Sequence, residues 1–169
     1  MDIAVRPVTP AEHETLGDIT ARAYLDDGLL DFGGSDPYLH ELRDVAKRAA
    51  TAEVLVAVDG ERLLLGGVTF VPGSGPMADL ARAGETEIRM LAVARQARGR
   101  GVGEALVRAC VARARAVEGC RTVVLSTQRS MSAAHRLYER LGFVRTPERD
   151  WRPLPELDDI TLLTYQLTL

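Results

Sequence analysis

Short apolar segments recur along the chain at lengths typical of β-strands. Two of them flank Asp59-Gly60, a pair that strongly favours a turn, so EVLVAVDGERLLLGGVTFV predicts a β-hairpin. Other apolar segments predict further strands, at residues 3–6, 85–93 (ETEIRMLAV), 121–127 (RTVVLST) and 160–168.

Helix signals lie between these strands. TPAE (9–12) carries a capping-box pattern with proline at the first helical position, which predicts a helix running to about Tyr24. Asp36-Pro37 starts a second helix by the same logic, and this helix is predicted to end near Ala50.

Two more helices are predicted in the second half of the chain. GEALVRACVARARAV (103–117) has its apolar residues on one stripe, which is typical of a helix packed on a sheet. The stripe consists of Leu106, Val107, Cys110, Val111, Ala114 and Val117. SAAHRLYERLG (132–142) predicts a shorter helix that ends at Gly142.

The order of elements predicts one α/β (α+β) domain over residues 1–169. A strand, two helices, three strands, a helix, a strand, a helix and one or two strands follow one another, which favours a mixed sheet with helices on both faces. A chain of 169 residues is long enough to bury one hydrophobic core.

Composition narrows the function classes. A formal charge of -3 argues against a general nucleic-acid binder. No apolar run approaches the roughly 20 residues that span a bilayer, and the first residues lack the pattern of a signal peptide. Two cysteines are too few for a disulfide framework, and three widely spaced histidines form no metal-ligand pattern. We therefore expect a reduced, cytoplasmic protein without a structural metal and without a membrane partner.

The segment RQARGRGVGEAL (95–106) is the strongest chemical signal. Three alternating glycines directly before a helix allow an anion to approach the backbone, and the helix N-terminus offers N–H groups and a positive dipole end. Arg98 and Arg100 add planar donors suited to phosphate. A simple tight turn would need one such glycine, so the pattern favours a phosphate or pyrophosphate site.

Two common phosphate motifs fit this segment poorly. A P-loop needs Lys and Ser or Thr after its last glycine, whereas Val102, Gly103 and Glu104 stand here. A dinucleotide fingerprint needs G-x-G-x-x-G directly after a strand, whereas the glycines here are spaced G-x-G-x-G and five residues separate Val93 from the first of them. An enzyme that depends on a nicotinamide cofactor is therefore a weak alternative.

LAVARQARGRGVGEALV resembles the acyl-CoA pyrophosphate loop of the GNAT superfamily of acyl-CoA-dependent N-acetyltransferases. Arg98, Gly101 and Gly103 fall on its pattern Q/R-x-x-G-x-G/A. AAHRLYERLGF (133–143) resembles the closing motif of that family, and IAVRPVTPAEHETL its first strand and helix. The resemblance covers nearly the whole chain and implies a mixed, mostly antiparallel sheet of six to seven strands flanked by about four helices.

The resemblance implies direct transfer of an acetyl group from acetyl-CoA to a primary amine, without a metal. It implies that acetyl-CoA is bound by backbone and side-chain groups of two segments. These are Leu91, Ala92 and Val93 on a strand, and Arg98, Gly99, Arg100, Gly101, Val102 and Gly103 in the loop. A catalytically inactive acyl-CoA-binding module for regulation or interaction is the alternative, and the sequence leaves monomer and homodimer open.

The resemblance places the acid that protonates the leaving thiolate at Tyr138, whose phenol is neutral at pH 7. The alternative is an aromatic residue beside Leu137 and Leu141 in the core. Met131 stands where the family often has an asparagine, and it cannot replace the hydrogen bonds of that asparagine, although Ser130 or Ser132 could.

Many members of the family that this chain resembles have a carboxylate base on the strand that corresponds to ETEIRMLAV. Glu87 is the candidate, with Glu85 behind it, and period-two alternation puts Glu87 on one face with Arg89 and Leu91. The alternative is a solvated glutamate, or an ion pair with a neighbouring arginine, since position alone fixes no pKa.

The acceptor is predicted from the segment YLDDGLLDFGGSDPYLHELRD (24–44), which joins the first two helices. Asp26, Asp27 and Asp31 would favour a cationic amine on a small molecule or a protein. The alternative is a solvated acidic loop whose aspartates cap helices and turns, as Asp36 is expected to do. The single tryptophan, Trp151, could line this site or fill a loop.

Overall fold

A seven-stranded sheet forms the centre of the molecule in the computed structural model, which describes residues 2–30, 33–73, 75–153 and 161–169. The strands are β1 (Ala4–Pro7), β2 (Glu53–Val58), β3 (Leu64–Val71), β4 (Glu85–Val93), β5 (Thr122–Thr127), β6 (Val144–Arg145) and β7 (Leu163–Thr168). The helices are α1 (His13–Asp26), α2 (Tyr38–Arg43), α3 (Val45–Thr51), α4 (Val102–Ala116) and α5 (Ser132–Arg140). In the described ranges, no helix is both long enough and apolar enough to cross a bilayer.

The sheet is mixed and mostly antiparallel. Its strand order is β1-β2-β3-β4-β5-β7-β6, and every neighbouring pair is antiparallel except β4 and β5. The parallel pair is joined by α4, because parallel strands need a crossover connection. The predicted fold class is confirmed, including the number of strands.

Adjacent glycines in β3 show that α1 and α4 cover opposite faces. A Cβ built on Gly66 would lie 3.3 Å from Val102 Cγ1 of α4, and one on Gly67 would lie 2.5 Å from Leu16 Cδ1 of α1. Successive side chains of a strand point to opposite faces, so the two glycines let a helix approach each side of the sheet closely.

The largest core lies under α4. Its predicted apolar stripe is buried from Leu106 to Ala114, whereas Val117 follows the helix and packs on the core only in part. Complete burial of one leucine such as Leu106 contributes roughly 1.5–3 kcal/mol, so this stripe fixes the helix on the sheet. Tyr138 and Phe143 bring α5 and its following turn to the same core.

The second predicted helix is divided in two. Asp44 ends α2 and starts α3, because its carboxylate accepts a hydrogen bond from the backbone N–H of Lys47 at 3.2 Å. Aspartate is a preferred N-cap, so a new helix axis begins at this residue. The prediction of one helix from residue 37 to about residue 50 is therefore wrong at its centre.

The β2–β3 hairpin is confirmed, but its loop is longer than a two-residue turn. Residues 59–63 connect the strands, and one Asp59 oxygen accepts the N–H groups of Glu61 and Leu63, both at 2.9 Å. The left-handed backbone falls at Arg62, with φ 66°, rather than at Gly60. The aspartate side chain sets the turn by binding backbone two and four residues ahead.

Candidate active site

The glycine segment forms an open loop at the start of α4. Gly99 and Gly101 have φ angles of 78° and 82°, and Gly101 is the N-cap residue of the helix. No described heavy atom lies within 4 Å of a Cβ built on either glycine. The first N–H groups of α4 have no partner within the helix, so backbone donors and open space coincide here.

A local irregularity in β4 opens the sheet next to this loop. Met90 has a φ of 54°, and the register of β3 against β4 shifts between Gly67 and Thr69. Within the described strands, the paired register of β4 with β5 ends at Ile88 and Leu125. The last residues of β4 therefore pair with β3 alone, and their other backbone edge, which includes Leu91 and Val93, faces the separation between β4 and β5.

Tyr138 of α5 lies in the core on the α4 side of the sheet. The preceding residue, Leu137, lies 3.4 Å from a Cβ built on Gly103 at the start of α4. Its side chain is buried, and its ring centroid lies 5.9 Å from those of Phe143 and Tyr165. Burial raises the pKa of the Tyr138 phenol well above its ordinary value. Tyr138 thus keeps its proton at neutral pH.

Tyr24 and Tyr38 stand on the other side of the sheet, where α1 and α2 pack. Their rings meet edge to face with centroids 6.4 Å apart. Burial raises the pKa of both phenols, and the charge on ionised Tyr138 would raise that of Tyr24 further. Both phenols therefore keep their protons at neutral pH.

Glu87 on β4 is bound by backbone. Its Oε1 accepts hydrogen bonds from the N–H groups of Asp79, Leu80 and Ala81 at 3.1, 2.8 and 2.9 Å. Its side chain is 1% exposed, and burial raises its pKa although these hydrogen bonds oppose the rise. Glu87 is therefore a fixed carboxylate on β4 with a raised pKa.

The neighbouring charged groups on β4 have partners of their own. Arg89 donates to the Met77 carbonyl at 2.7 Å and pairs with Asp79 at 3.0 Å. Glu85 is bound by Arg149 at 2.8 and 2.9 Å, and the hydrogen bonds from that arginine lower its pKa. Glu85 is thus held in an ion pair, which makes it the weaker candidate for a base.

The acidic residues between α1 and α2 do not form one cluster. Asp27 makes a two-point ion pair with Arg98 of the glycine loop, with both N–O distances 2.9 Å. Asp26 is exposed and lines a cavity of about 240 Å³ between α1 and the β4–α4 loop. Asp31 lies outside the described residues. Asp36 caps α2 as expected, because its carboxylate accepts from the N–H of Tyr38 at 2.9 Å.

The sequence patterns did not identify Tyr24 and Tyr38 as tyrosines that pack in the cluster around Met90 of β4. Tyr24 could have been found, because Leu16, Thr20 and Tyr24 recur every four residues on the buried face of α1. Tyr38 had no comparable signal.

Trp151 and Met131 both contact the end of β5. Trp151 donates its indole N–H to Ser126 Oγ at 2.8 Å, so it closes the end of this strand. The sulfur of Met131 accepts from the Thr127 hydroxyl at 3.2 Å, and Met131 stands at the N-cap of α5.

Comparisons with known proteins agree with this fold. The family model described as "Acetyltransferase (GNAT) family" matches residues 19–143. A GNAT-superfamily phosphinothricin acetyltransferase from Sinorhizobium meliloti, solved with acetyl-CoA, has 18% identity and a TM-score of 0.75, with 100% of this chain and 89% of that chain covered. A GCN5-related N-acetyltransferase from Kribbella flavida has 24% identity and a TM-score of 0.71, with 99% and 98% covered. No curated protein matches the sequence.

Proposed function

The chain belongs to the GNAT acetyltransferase family, and from this premise we propose that it transfers the acetyl group of acetyl-CoA directly to a primary amine. One observation carries the proposal: the start of α4 that follows the open glycine loop packs against the end of β4 and against α5. A Cβ on Gly103 would lie 3.9 Å from Val93 Cγ2 and 3.4 Å from Leu137 Cδ2, and Leu137 is the residue before Tyr138. The Sinorhizobium meliloti relative was solved with acetyl-CoA, which supports the choice of donor.

The residues of this chain fit an acyl-CoA. In our proposal the N–H groups of residues 98–103 bind the diphosphate, because left-handed glycines with open surroundings leave the backbone accessible. In the same proposal the free backbone edge of Leu91 and Val93, on either side of Ala92, binds the amides of the pantetheine arm and polarises the thioester carbonyl. Acetyl-CoA supplies an activated acetyl group on sulfur, and the protein supplies orientation and protons.

The amine attacks in its neutral form, so a cationic amine first gives one proton to a base. As the C–N bond forms and the C–S bond breaks, the nitrogen loses a second proton and the sulfur gains one. Tyr138 is the proposed acid, because burial keeps its phenol protonated and its ring is fixed by two aromatic neighbours. Glu87 is the proposed base, acting directly or through water. Three backbone N–H groups hold its Oε1, which leaves Oε2 to accept the proton.

The acceptor is proposed to be a cationic amine that enters beside the α1–α2 segment. Of the two described aspartates predicted to attract it, Asp26 is the stronger candidate, because the charge of Asp27 is offset by Arg98. Asp31 keeps the role predicted for it from the sequence.

A second candidate function is an acyl-CoA-binding module without catalysis. Met131 favours it, since a thioether cannot supply the hydrogen bonds of the asparagine often found at this position. Two residues favour the enzyme: Tyr138, whose ring lies between two aromatic neighbours, and Glu87, whose Oε1 is held by three backbone N–H groups.

An amine panel separates the two. The wild-type protein is incubated with acetyl-CoA and representatives of polyamines, amino acids, aminoglycosides and peptide N-termini, and release of free thiol is followed. We expect thiol release with at least one amine, and release that is slower by about 10²-fold or more with Tyr138→Phe. Binding of CoA by calorimetry without thiol release across the panel would support the binding module. A melting temperature raised by NAD(H) and not by CoA would exclude both.

A further inference from the structure

Two loops flank the proposed acyl-CoA site, and each is attached to the same short segment. The β4–α4 loop is attached through Arg98, whose Nη1 and Nη2 both bind the Asp27 carboxylate at 2.9 Å. The β5–α5 loop is attached through Gln128, whose side-chain N–H donates to the Leu29 carbonyl at 3.0 Å. Residues 27–29, called the bridge below, thus contact both sides of the site.

The bridge is itself fixed to the end of α1. The N–H groups of Asp27, Gly28 and Leu29 donate to the carbonyls of Ala23, Leu25 and Tyr24 at 3.2, 3.2 and 3.0 Å. Gly28 has a φ of 67°, the left-handed conformation that commonly ends a helix. Leu29 is 9% exposed, so the far end of the bridge is anchored in the core.

The β4–α4 loop needs such an attachment. Gly99 and Gly101 lose much conformational freedom when the loop adopts the shape that a diphosphate requires, and the space beside their Cα atoms is open. An ion pair to a rigid helix end reduces the freedom of the unbound loop, so less entropy is lost when the donor binds.

We propose that the bridge holds the two loops in the conformation that binds acyl-CoA, with Asp27 and Gln128 as positioning residues. This inference rests on the proposed function, and it gives Asp27 a role toward the donor rather than toward the amine. The pair is partly exposed, with 45% and 40% of the Arg98 and Asp27 side chains accessible, so its effect is modest and sensitive to salt.

The test measures acetyl-CoA affinity by calorimetry. Asp27→Asn is expected to raise the Kd of acetyl-CoA roughly 3- to 5-fold at low salt, the range of an exposed ion pair. Gln128→Ala should raise it in the same direction, and Asp27→Glu should restore most of the affinity. Glu41→Gln is the control, because Glu41 forms a comparably exposed ion pair with Lys47 at 3.3 Å, outside both loops and the bridge.

Kinetics separate positioning from general damage to the fold. With saturating acetyl-CoA, Asp27→Asn should keep the wild-type kcat and the wild-type KM for the amine. Acetylpantetheine lacks the diphosphate, so the effect of Asp27→Asn on kcat/KM should disappear with this donor.

Three results would overturn the inference. One is a Kd of acetyl-CoA that is unchanged or lower in Asp27→Asn. Another is a raised KM for the amine with an unchanged Kd for acetyl-CoA, which would assign Asp27 to the acceptor. Failure of the wild-type protein to bind acetyl-CoA would overturn the proposed function itself, and the role of the bridge with it.

Discussion

Glu87 and Arg89, two residues apart on β4, hold the same segment of the β3–β4 loop in place. Glu87 accepts the N–H of Leu80 at 2.8 Å, and Arg89 donates to the Met77 carbonyl at 2.7 Å. The carboxylate partner of Arg89 is Asp79 rather than Glu87. The proposed base is therefore fixed by neutral backbone donors, and its pKa stays raised because burial outweighs them.

This arrangement predicts the pH dependence of Glu87. A base works only when deprotonated, so kcat/KM should fall as the pH drops through the raised pKa of Glu87. Glu87→Gln should lower kcat by about 10²-fold or more and remove this acidic limb. The amide oxygen of glutamine can still accept the three N–H groups, so the melting temperature should change little. An intact acidic limb in the variant would assign the base elsewhere.

Removing the Tyr138 hydroxyl should affect chemistry and not binding. Tyr138→Phe is expected to lower kcat by about 10²-fold or more, with the Kd of acetyl-CoA near the wild-type value, because only proton donation is lost. The control is Tyr165→Phe, which removes a hydroxyl bound to Glu139 at 2.7 Å in the same aromatic group. Steady-state kinetics decide, and unchanged turnover in Tyr138→Phe would remove it as the acid.

The left-handed conformation of Gly101 should be essential for donor binding. Gly101→Val should abolish measurable binding of acetyl-CoA, because a β-branched residue strongly disfavours a φ of 82°. Gly119→Val is the matched control, since Gly119 has a φ of 79° and equally open surroundings outside the site. Both variants should lose similar stability, and only Gly101→Val should lose binding in calorimetry. Binding retained by Gly101→Val would contradict a diphosphate site at this loop.

Gly66 should tolerate no side chain. A Cβ at this position would overlap the Ala92 carbonyl oxygen of β4, so Gly66→Ala should destabilise the fold by about 1–3 kcal/mol through overpacking. Gly60→Ala lies in open space in the β2–β3 loop and should be nearly neutral. Urea unfolding of the two variants measures the difference, and equal stability would contradict close contact between β3 and β4.

The ion pair of Arg6 and Glu12 should stabilise the start of α1 in a pH-dependent way. Hydrogen bonds from Arg6 lower the pKa of Glu12 to about 2, so its contribution is present above the ordinary carboxyl pKa and is lost as the pH falls toward about 2. Glu12→Gln should cost about 0.5–1 kcal/mol at pH 7. The difference from wild type should shrink on acidification in denaturant titrations, and a difference that stays constant down to about pH 2 would contradict a stabilising ion pair.

The sequence by itself determined most of the helices and strands and the protein family. ETEIRMLAV predicted β4 to the residue, and the stripe from Leu106 to Ala114 predicted which face of α4 is buried. These features depend on periodicity and capping within a few residues, so they can be derived from the residues alone. The two GNAT motifs lie within short segments too, which is why the family was visible.

Only the tertiary structure decided how the site is assembled. Arg98 and Asp27 are 71 residues apart in sequence, and Gln128 and Leu29 are 99 apart, so no local pattern announces either contact. Side-chain hydrogen bonds to the backbone also changed two local predictions, because such bonds compete with regular structure. Asp59 sets a five-residue loop between β2 and β3, and Asp44 divides the second predicted helix into two. The fold also decides the state of each carboxylate, because it decides which groups are buried beside it. Glu85 forms an ion pair with Arg149, whereas Glu87 is held by backbone N–H groups.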